Sequence, residues 1–148
     1  PNENLLIVDF GTATTVCVIT KTKEYLGGAI LPGIRISMEA LESRTAKLPT
    51  VEIMKKESAI GQTTVDSIQV GLFFGQMGMV REVVQRARQE AFGNESCRVI
   101  GTGGFSSLFD KSNIYDEVIP DLALRGLYLA VQMNSVKEKE VIYASTNA

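Results

Sequence analysis

The alternation of hydrophobic and polar positions predicts that the chain opens with three β-strands. Residues 5–8 form a short apolar run that ends in Asp9 and Gly11, which is typical of a strand leading into a turn. Further runs of β-branched and apolar residues follow at 14–20 and 25–31. Because only short turns separate the three runs, we expect an antiparallel meander.

Helical periodicity follows the predicted meander. Residues 34–46 carry Ile34, Met38 and Leu41 on one stripe, and residues 48–53 are expected to form an extended connector. From about residue 64 to 92 a long helical pattern follows, with room for one break.

Three glycines, Gly71, Gly75 and Gly78, lie in the first half of this long helical segment. Glycine destabilises a helix interior relative to alanine. We therefore expect a close-packed neighbour at these positions, either inside the domain or across a dimer.

The last third of the chain predicts alternating strands and helices. A strand at residues 98–100 leads into the segment GTGG at 101–104, and short elements are expected at 105–109 and 115–118. A final amphipathic helix is predicted at 120–133, since proline is tolerated in a first helical turn. The fold class predicted is α/β, with three antiparallel strands followed by alternating helices and strands.

Composition and charge narrow the classes of function. The chain has 148 residues, of which 45% are hydrophobic and 22% charged, as expected of one globular domain. The formal net charge is −2 and there is no basic tract, so we expect no nucleic-acid partner. The apolar stretches are too short to cross a bilayer and no signal peptide precedes them, so we expect no membrane partner. Two cysteines without disulfide spacing suit reduced thiols, so we expect a cytoplasmic location.

The residue types exclude several kinds of catalytic site. The sequence has no histidine, which excludes Ser-His and Cys-His nucleophiles and histidine metal sites. Cys17 and Cys97 have no metal-binding or disulfide spacing, so we expect two reduced thiols packed as small hydrophobic side chains. Carboxylates remain as bases, but we expect Asp66, Asp116 and Asp121 to be surface or capping groups.

Two glycine-containing loops, at residues 9–15 and 101–104, are the candidate ligand-binding segments of the chain. Each follows a predicted strand, and such loops expose backbone N–H groups to a phosphate. Threonine hydroxyls add donors to the first loop, and the Asp9 carboxylate suits a cation beside the phosphates. By themselves both loops are equally compatible with ordinary turns, because neither has the P-loop or the Rossmann pattern.

Five segments taken together resemble one family. They are DFGTATT (9–15), YLGGAILPGI (25–34), SRTAKLP (43–49), GQTTVDSIQVG (61–71) and IGTGG (100–104). In this order they are similar to type III pantothenate kinases, and the resemblance extends over about residues 5–131. The second and third segments are the specific ones.

The resemblance implies a fold and a set of site residues. The fold would be a ribonuclease-H-like, actin-like ATPase domain of the acetate and sugar kinase, Hsc70 and actin superfamily. The cofactors would be ATP, Mg²⁺ and a monovalent cation, K⁺ or NH₄⁺, and the second substrate would be pantothenate. The implied ligands are Asp9 for the cation, Gly11 and Thr12 for the ATP phosphates, Gly101, Thr102, Gly103 and Gly104 for the adenosine, and Thr64 for pantothenate.

The resemblance also implies that residues 1–148 are the C-terminal domain of a two-domain homodimeric kinase. The family's Asp-X-Gly-Asn-Thr loop and its Gly-X-Asp-Arg segment, which carries the proposed catalytic base, do not occur in the sequence. We therefore expect both upstream of Pro1 and expect this chain alone to be inactive. Cys17 departs from the family pattern, in which this position is often Asp.

Two alternatives remain at this point. One is a non-catalytic regulatory relative of the Bvg accessory factor type with the same fold. The other is a generic nucleotide-binding domain of the superfamily.

Overall fold

A five-stranded sheet and three helices make up the part of the chain that the computed structural model describes, residues 3–146, with side chains described for residues 3–134. In chain order the elements are β1 (Asn4–Phe10), β2 (Ala13–Ile19), β3 (Tyr25–Pro32), α1 (Ile34–Arg44), α2 (Thr64–Phe92), β4 (Cys97–Thr102), a 3₁₀ helix (Ser106–Phe109), β5 (Glu117–Val118) and α3 (Leu122–Thr146). The mixed α/β class predicted from the sequence is confirmed.

The strand order in the sheet is β3-β2-β1-β4-β5. β2 runs antiparallel to both β1 and β3, which confirms the predicted meander. β4 lies parallel to β1 on its other side, with Asp9 paired to Thr102. The carboxyl ends of β1 and β4 therefore lie at the same edge of the sheet, and the two glycine-containing loops leave the sheet side by side.

One face of the sheet packs against α2 and forms the core. Leu6, Val8 and Phe10 alternate with half-exposed residues along β1 and are at most 1% exposed. The Phe10 ring stacks on Phe109 at a centroid distance of 4.7 Å, and Phe109 stacks on Phe73 of α2 at 5.5 Å. This aromatic column joins β1, the 3₁₀ helix and α2 directly beneath the loop edge.

The helices follow the predicted periodicity, with two differences. Ile34 of α1 is buried, and Met38 and Leu41 pack against the core as expected. α2 is a single unbroken helix of 29 residues, so the break allowed for in the sequence is absent. α3 continues to Thr146, beyond the predicted end at residue 133, because Lys and Glu in the added segment favour helix.

The three glycines of α2 have no close neighbour within the described chain. Gly71, Gly75 and Gly78 are exposed, and a Cβ added at each of them would meet no atom within 4 Å. The expectation of close packing inside the domain is therefore wrong. The side of α2 that packs against the sheet is the opposite, apolar side of the helix.

None of the helices within residues 3–146 combines the length and the apolar character needed to span a bilayer.

Candidate functional site

The turn between β1 and β2 and the loop after β4 meet at one edge of the sheet. Gly11 and Thr12 alone connect the first two strands. The Phe105 N–H donates to the Phe10 carbonyl oxygen at 3.1 Å, which ties the second loop to the end of β1. The carboxylate of Asp9 lies between the two loops.

Gly103 is the residue that allows this close approach. Its φ is +88°, a conformation that side chains rarely adopt. A Cβ at this position would lie 2.2 Å from the Asp9 Oδ1 and 2.7 Å from backbone atoms of Phe10. Contacts within the chain therefore require glycine at this position, whether or not a ligand is bound.

The first turn of α1 closes the other side of the loop edge. A Cβ at Gly33 would lie 2.0 Å from the carbonyl oxygen of Thr12, so the helix begins in direct contact with the first turn. The space left between these segments is a cavity of about 310 Å³. Its lining residues are Phe10, Gly11, Thr12, Arg35, Gly104 and Phe105.

Three of the residues predicted to bind ATP line this cavity. Gly11 is half-buried, whereas Thr12 and Gly104 are exposed and free to contact a ligand. No atom lies within 4 Å of the Cβ position of Gly104. The structure thus brings the first loop and the end of the second loop together around one space.

Gly101 and Thr102, by contrast, lie behind the cavity. A Cβ at Gly101 would meet the ring of Tyr115 at 2.8 Å, so packing within the chain accounts for this glycine. Thr102 is 5% exposed, and its hydroxyl donates to the Pro120 carbonyl oxygen at 3.4 Å. Their assignment to the adenosine stays a prediction, and any contact would involve their backbone.

A short chain of hydrogen bonds supports the second loop from below. The Tyr115 hydroxyl donates to the Ser106 carbonyl oxygen, and the Ser106 hydroxyl donates to the Gly103 carbonyl oxygen at 2.7 Å. Burial, and secondarily the negative charge of Asp110, raises the pKa of Tyr115 to about 12. The local sequence did not predict this set of hydrogen bonds, because a tyrosine hydroxyl outside a helix or strand could donate to many different groups.

A buried polar pair supports the first loop. Thr14 and Gln76 are 1% and 2% exposed, and the Gln76 Nε2 donates to the Thr14 hydroxyl oxygen at 2.9 Å. The Gln76 Oε1 has no hydrogen-bond partner among the described residues. Sequence reasoning missed Gln76, because one glutamine within a helical pattern does not indicate which strand it faces.

Thr64, the residue predicted to contact pantothenate, is exposed at the start of α2 and does not line the cavity. It precedes Gln76 by twelve residues on α2, which is about 18 Å along a helix. Thr64 therefore lies well away from the contact between Gln76 and Thr14.

The helix start beside Thr64 is capped by its neighbours. The Asp66 N–H donates to the Thr63 hydroxyl oxygen at 3.1 Å, and the Asp66 carboxylate accepts from the Gln62 N–H at 3.0 Å. Hydrogen bonding to Lys56, with which Asp66 also forms an ion pair, lowers the pKa of Asp66. Asp66 is thus a capping group, as the sequence predicted.

The other two carboxylates set aside from catalysis also have structural partners. Asp116 accepts from the Val99 N–H at 2.7 Å, and Asp121 pairs with Arg125 at 2.9 Å. Cys17 and Cys97 are free and half-buried.

Asp9 is the candidate cation ligand. Within the described residues no group of three or more Cys, Asp or Glu side chains is arranged to hold a metal ion. The Asp9 Oδ1 lies against both loops, 3.5 Å from the Cβ position of Gly11. One carboxylate in this place fits a hard cation that takes its other ligands from water, carbonyl groups and phosphate oxygens.

Sequence comparison connects this geometry with one family. The family model described as type III pantothenate kinase matches residues 1–86. A type III pantothenate kinase of Legionella pneumophila (strain Corby) is 53% identical over 135 residues, which cover 91% of this chain and 53% of that protein. Type III pantothenate kinase 1 of Francisella tularensis subsp. holarctica (strain OSU18) is 48% identical over 134 residues, covering 90% of this chain and 52% of that protein.

The chain spans about half the length of the curated relatives it matches. Both relatives carry the kinase name, so the regulatory alternative is not favoured.

Among solved structures, a Baf family protein from Campylobacter jejuni has a TM-score of 0.64 at 22% identity, covering 90% of this chain and 59% of that one. At this sequence identity, the similarity shows the fold and says nothing about function. On the sequence matches, this chain belongs to the type III pantothenate kinase family.

Proposed function

We propose that the protein containing this chain transfers the γ-phosphoryl group of ATP to the primary hydroxyl of pantothenate, the first step of coenzyme A biosynthesis. The observation that carries the proposal is that Gly11, Thr12 and Gly104 line one cavity while the Asp9 Oδ1 lies against Gly11 and Gly103 of the two loops, in a chain of this family. A transferase acting on an alcohol acceptor needs such a place to hold phosphate groups and a cation together.

Each predicted ligand has a role in this proposal. The backbone of Gly11 and the hydroxyl of Thr12 bind ATP phosphates, and Asp9 holds a monovalent cation, K⁺ or NH₄⁺, near the Mg²⁺ that accompanies ATP. We assign residues 101–104 to the adenosine, and Gly104 is the most accessible of them. The bound cations supply positive charge against the phosphate oxygens.

The chain's own contribution to the reaction is positional. Aligning the phosphates and excluding water lowers the barrier without a proton-transfer group. None of the described residues that line the cavity is a carboxylate, and we propose that the general base lies in the upstream half, as the family resemblance implies. We therefore propose that this chain is the C-terminal, actin-like ATPase domain of a two-domain kinase and is inactive alone. The antiparallel meander followed by alternating helices and strands supports this fold class, and the double length of the relatives supports the second domain.

We also propose a cytoplasmic homodimer in which Thr64 contacts pantothenate. Gly71, Gly75 and Gly78 form an exposed face of α2 with open space around it, which suits contact with a second helix. Thr64 is on the same helix, about 18 Å from the contact at the loop edge. A pantothenate molecule bound at Thr64 would be too far from the loop edge to meet ATP phosphates held there by this chain alone. We therefore propose that another part of the assembly completes the substrate site.

The test uses the protein extended upstream to the length of its relatives. Phosphorylated pantothenate is measured with ATP and Mg²⁺, in K⁺ or NH₄⁺ and in Na⁺. We expect turnover that depends on K⁺ or NH₄⁺ and that falls by about tenfold or more in Asp9→Asn, because the cation loses its carboxylate ligand. Asp116→Asn is the control, since it removes a carboxylate outside the cavity. Absence of turnover in both K⁺ and NH₄⁺ would refute the proposal.

A further inference from the structure

Among the described residues, Arg35 is the one charged residue that lines the cavity between the two loops. It is the second residue of α1, and its guanidinium carbon lies over the ring of Phe105, 5.5 Å from the centroid. No acceptor oxygen of the described residues pairs with it. Of the six other arginines in the sequence, five donate to a carbonyl or a carboxylate, and the sixth, Arg44, is exposed at the end of α1. The five are Arg81, Arg86, Arg88, Arg98 and Arg125.

The contact with Phe105 is a cation–π contact, which holds the guanidinium beside the cavity without an acceptor oxygen. The N–H groups of Arg35 are therefore not committed to a hydrogen bond with a described residue. The rest of the cavity lining offers backbone groups, the Thr12 hydroxyl and aromatic rings. Within residues 3–134, no carboxylate lies within ion-pair distance of the Arg35 guanidinium.

We propose that Arg35 binds a phosphate group of the nucleotide and makes the site selective for phosphorylated adenosine ligands. The inference rests on the proposed function for the identity of the ligand and adds a residue to it. Arginine matches phosphate geometry with two parallel N–H donors, and such charge-assisted hydrogen bonds are stronger than those between neutral groups. Thr12 and Arg35 then hold the phosphate from two sides of the cavity.

The experiment measures the affinity of the upstream-extended protein for ATP, ADP and adenosine by isothermal titration calorimetry. Arg35→Met keeps an unbranched side chain against Phe105 without the charge, and Arg35→Lys keeps the charge without the planar fork. Arg86→Ala is the control for net charge, because Arg86 is exposed and its partner among the described residues is Glu82, one helical turn away. Thermal unfolding of each variant checks that it is folded.

For Arg35→Met we expect ATP to bind on the order of tenfold to a hundredfold more weakly, with adenosine unchanged. Arg35→Lys should retain part of the ATP affinity, and Arg86→Ala all of it. Raising the ionic strength should weaken ATP binding less in Arg35→Met than in the wild type, because one screened charge contact is gone. Equal weakening for ATP and adenosine would mean that Arg35 contacts the base, and an unchanged ATP affinity would mean no contact; either result overturns the inference.

Turnover of pantothenate separates this inference from the proposed function. If the wild type phosphorylates pantothenate and Arg35→Met has the same KM for ATP, the Arg35 inference fails alone. If ATP binding depends on Arg35 but pantothenate is not phosphorylated, the proposed function fails alone. A wild type that binds no ATP refutes both.

Discussion

At the scale of single residues, the glycines of the two loops differ in what requires them. Gly103 has a positive φ and lies against Asp9 and Phe10, so the chain's own packing requires glycine. Gly104 has no atom near its Cβ position and faces the cavity. One loop therefore contains a structural glycine next to one that is open to a ligand.

This contrast predicts opposite effects for two neighbouring substitutions. Gly103→Ala should destabilise the protein by roughly 2 kcal/mol or more, because the backbone conformation is strained and the added Cβ collides with Asp9. Gly104→Ala should change the free energy of unfolding by less than about 0.5 kcal/mol while weakening ATP binding. Urea denaturation and calorimetric titration with ATP measure the two effects. Equal stability of the two variants would contradict the structural role of Gly103.

Tyr115 predicts an alkaline dependence of stability. Its pKa is raised to about 12 in the folded chain, whereas an unfolded tyrosine titrates near 10. The folded state therefore holds the phenolic proton more tightly, and the associated stability is complete below about pH 10 and lost as the pH rises towards 12. Tyr115→Phe should remove about 1 kcal/mol at neutral pH, because the hydrogen bond to Ser106 is lost.

The measurement for Tyr115 is urea denaturation of wild type and Tyr115→Phe at several pH values from 8 to 12. The two curves of stability against pH should converge at the alkaline end. Curves that remain parallel up to the alkaline limit would rule out Tyr115 as the titrating group.

At the scale of elements, α2 organises the site although it contributes no residue to the cavity lining. It carries Gln76 under the first loop and Phe73 in the aromatic column, and its start is capped by Thr63. The helix thus fixes the position of β2 and of the turn that precedes it. A change in α2 should reach the cavity through Thr14.

We expect Gln76→Ala to destabilise the protein by about 2 kcal/mol or more, because it leaves the buried Thr14 hydroxyl without its donor and opens a cavity. Replacing both residues, as in Gln76→Leu with Thr14→Val, should cost clearly less than the sum of the two single changes. Urea denaturation of the two singles and the double completes the cycle. Additive effects would mean that the hydrogen bond contributes little to stability.

At the scale of the whole molecule, the glycine face of α2 distinguishes a dimer from a monomer. If another subunit covers this glycine face, Gly71→Gln and Gly75→Gln should shift the upstream-extended protein towards monomer in sedimentation at micromolar concentration.

If the glycine face is instead solvated, Gly75→Ala should raise the free energy of unfolding by roughly 0.5–1 kcal/mol, since alanine favours helix. A wild type that sediments as a monomer would contradict the proposed dimer. Arg125→Gln on α3 is the control, because it leaves the glycines of α2 unchanged.

Much of the element order was predictable from the sequence because it depends on local rules. Period-two runs between short turns predicted β1 to β3, and the apolar stripe of α1 predicted its buried side. Asp66 lies three residues after its capping partner Thr63, so its structural role was also within reach of local reasoning. The interior glycines of α2 were an exception, since their exposed surroundings depend on which side of the helix meets the sheet.

The sequence by itself determined the strand and helix segments, the two loops and the family, because periodicity, turn residues and short motifs act over a few positions. Only the tertiary structure decided that the two loops share one edge, that Gly103 makes room for Asp9, and that Gly101 makes room for Tyr115. It also brought Gln76 to Thr14 and Arg35 to Phe105. Most of these pairs are far apart along the chain. Parallel pairing of β1 with β4 brings the two loops together, the packing of α2 brings Gln76 to Thr14, and parallel pairing of β4 with β5 brings Tyr115 beside Gly101.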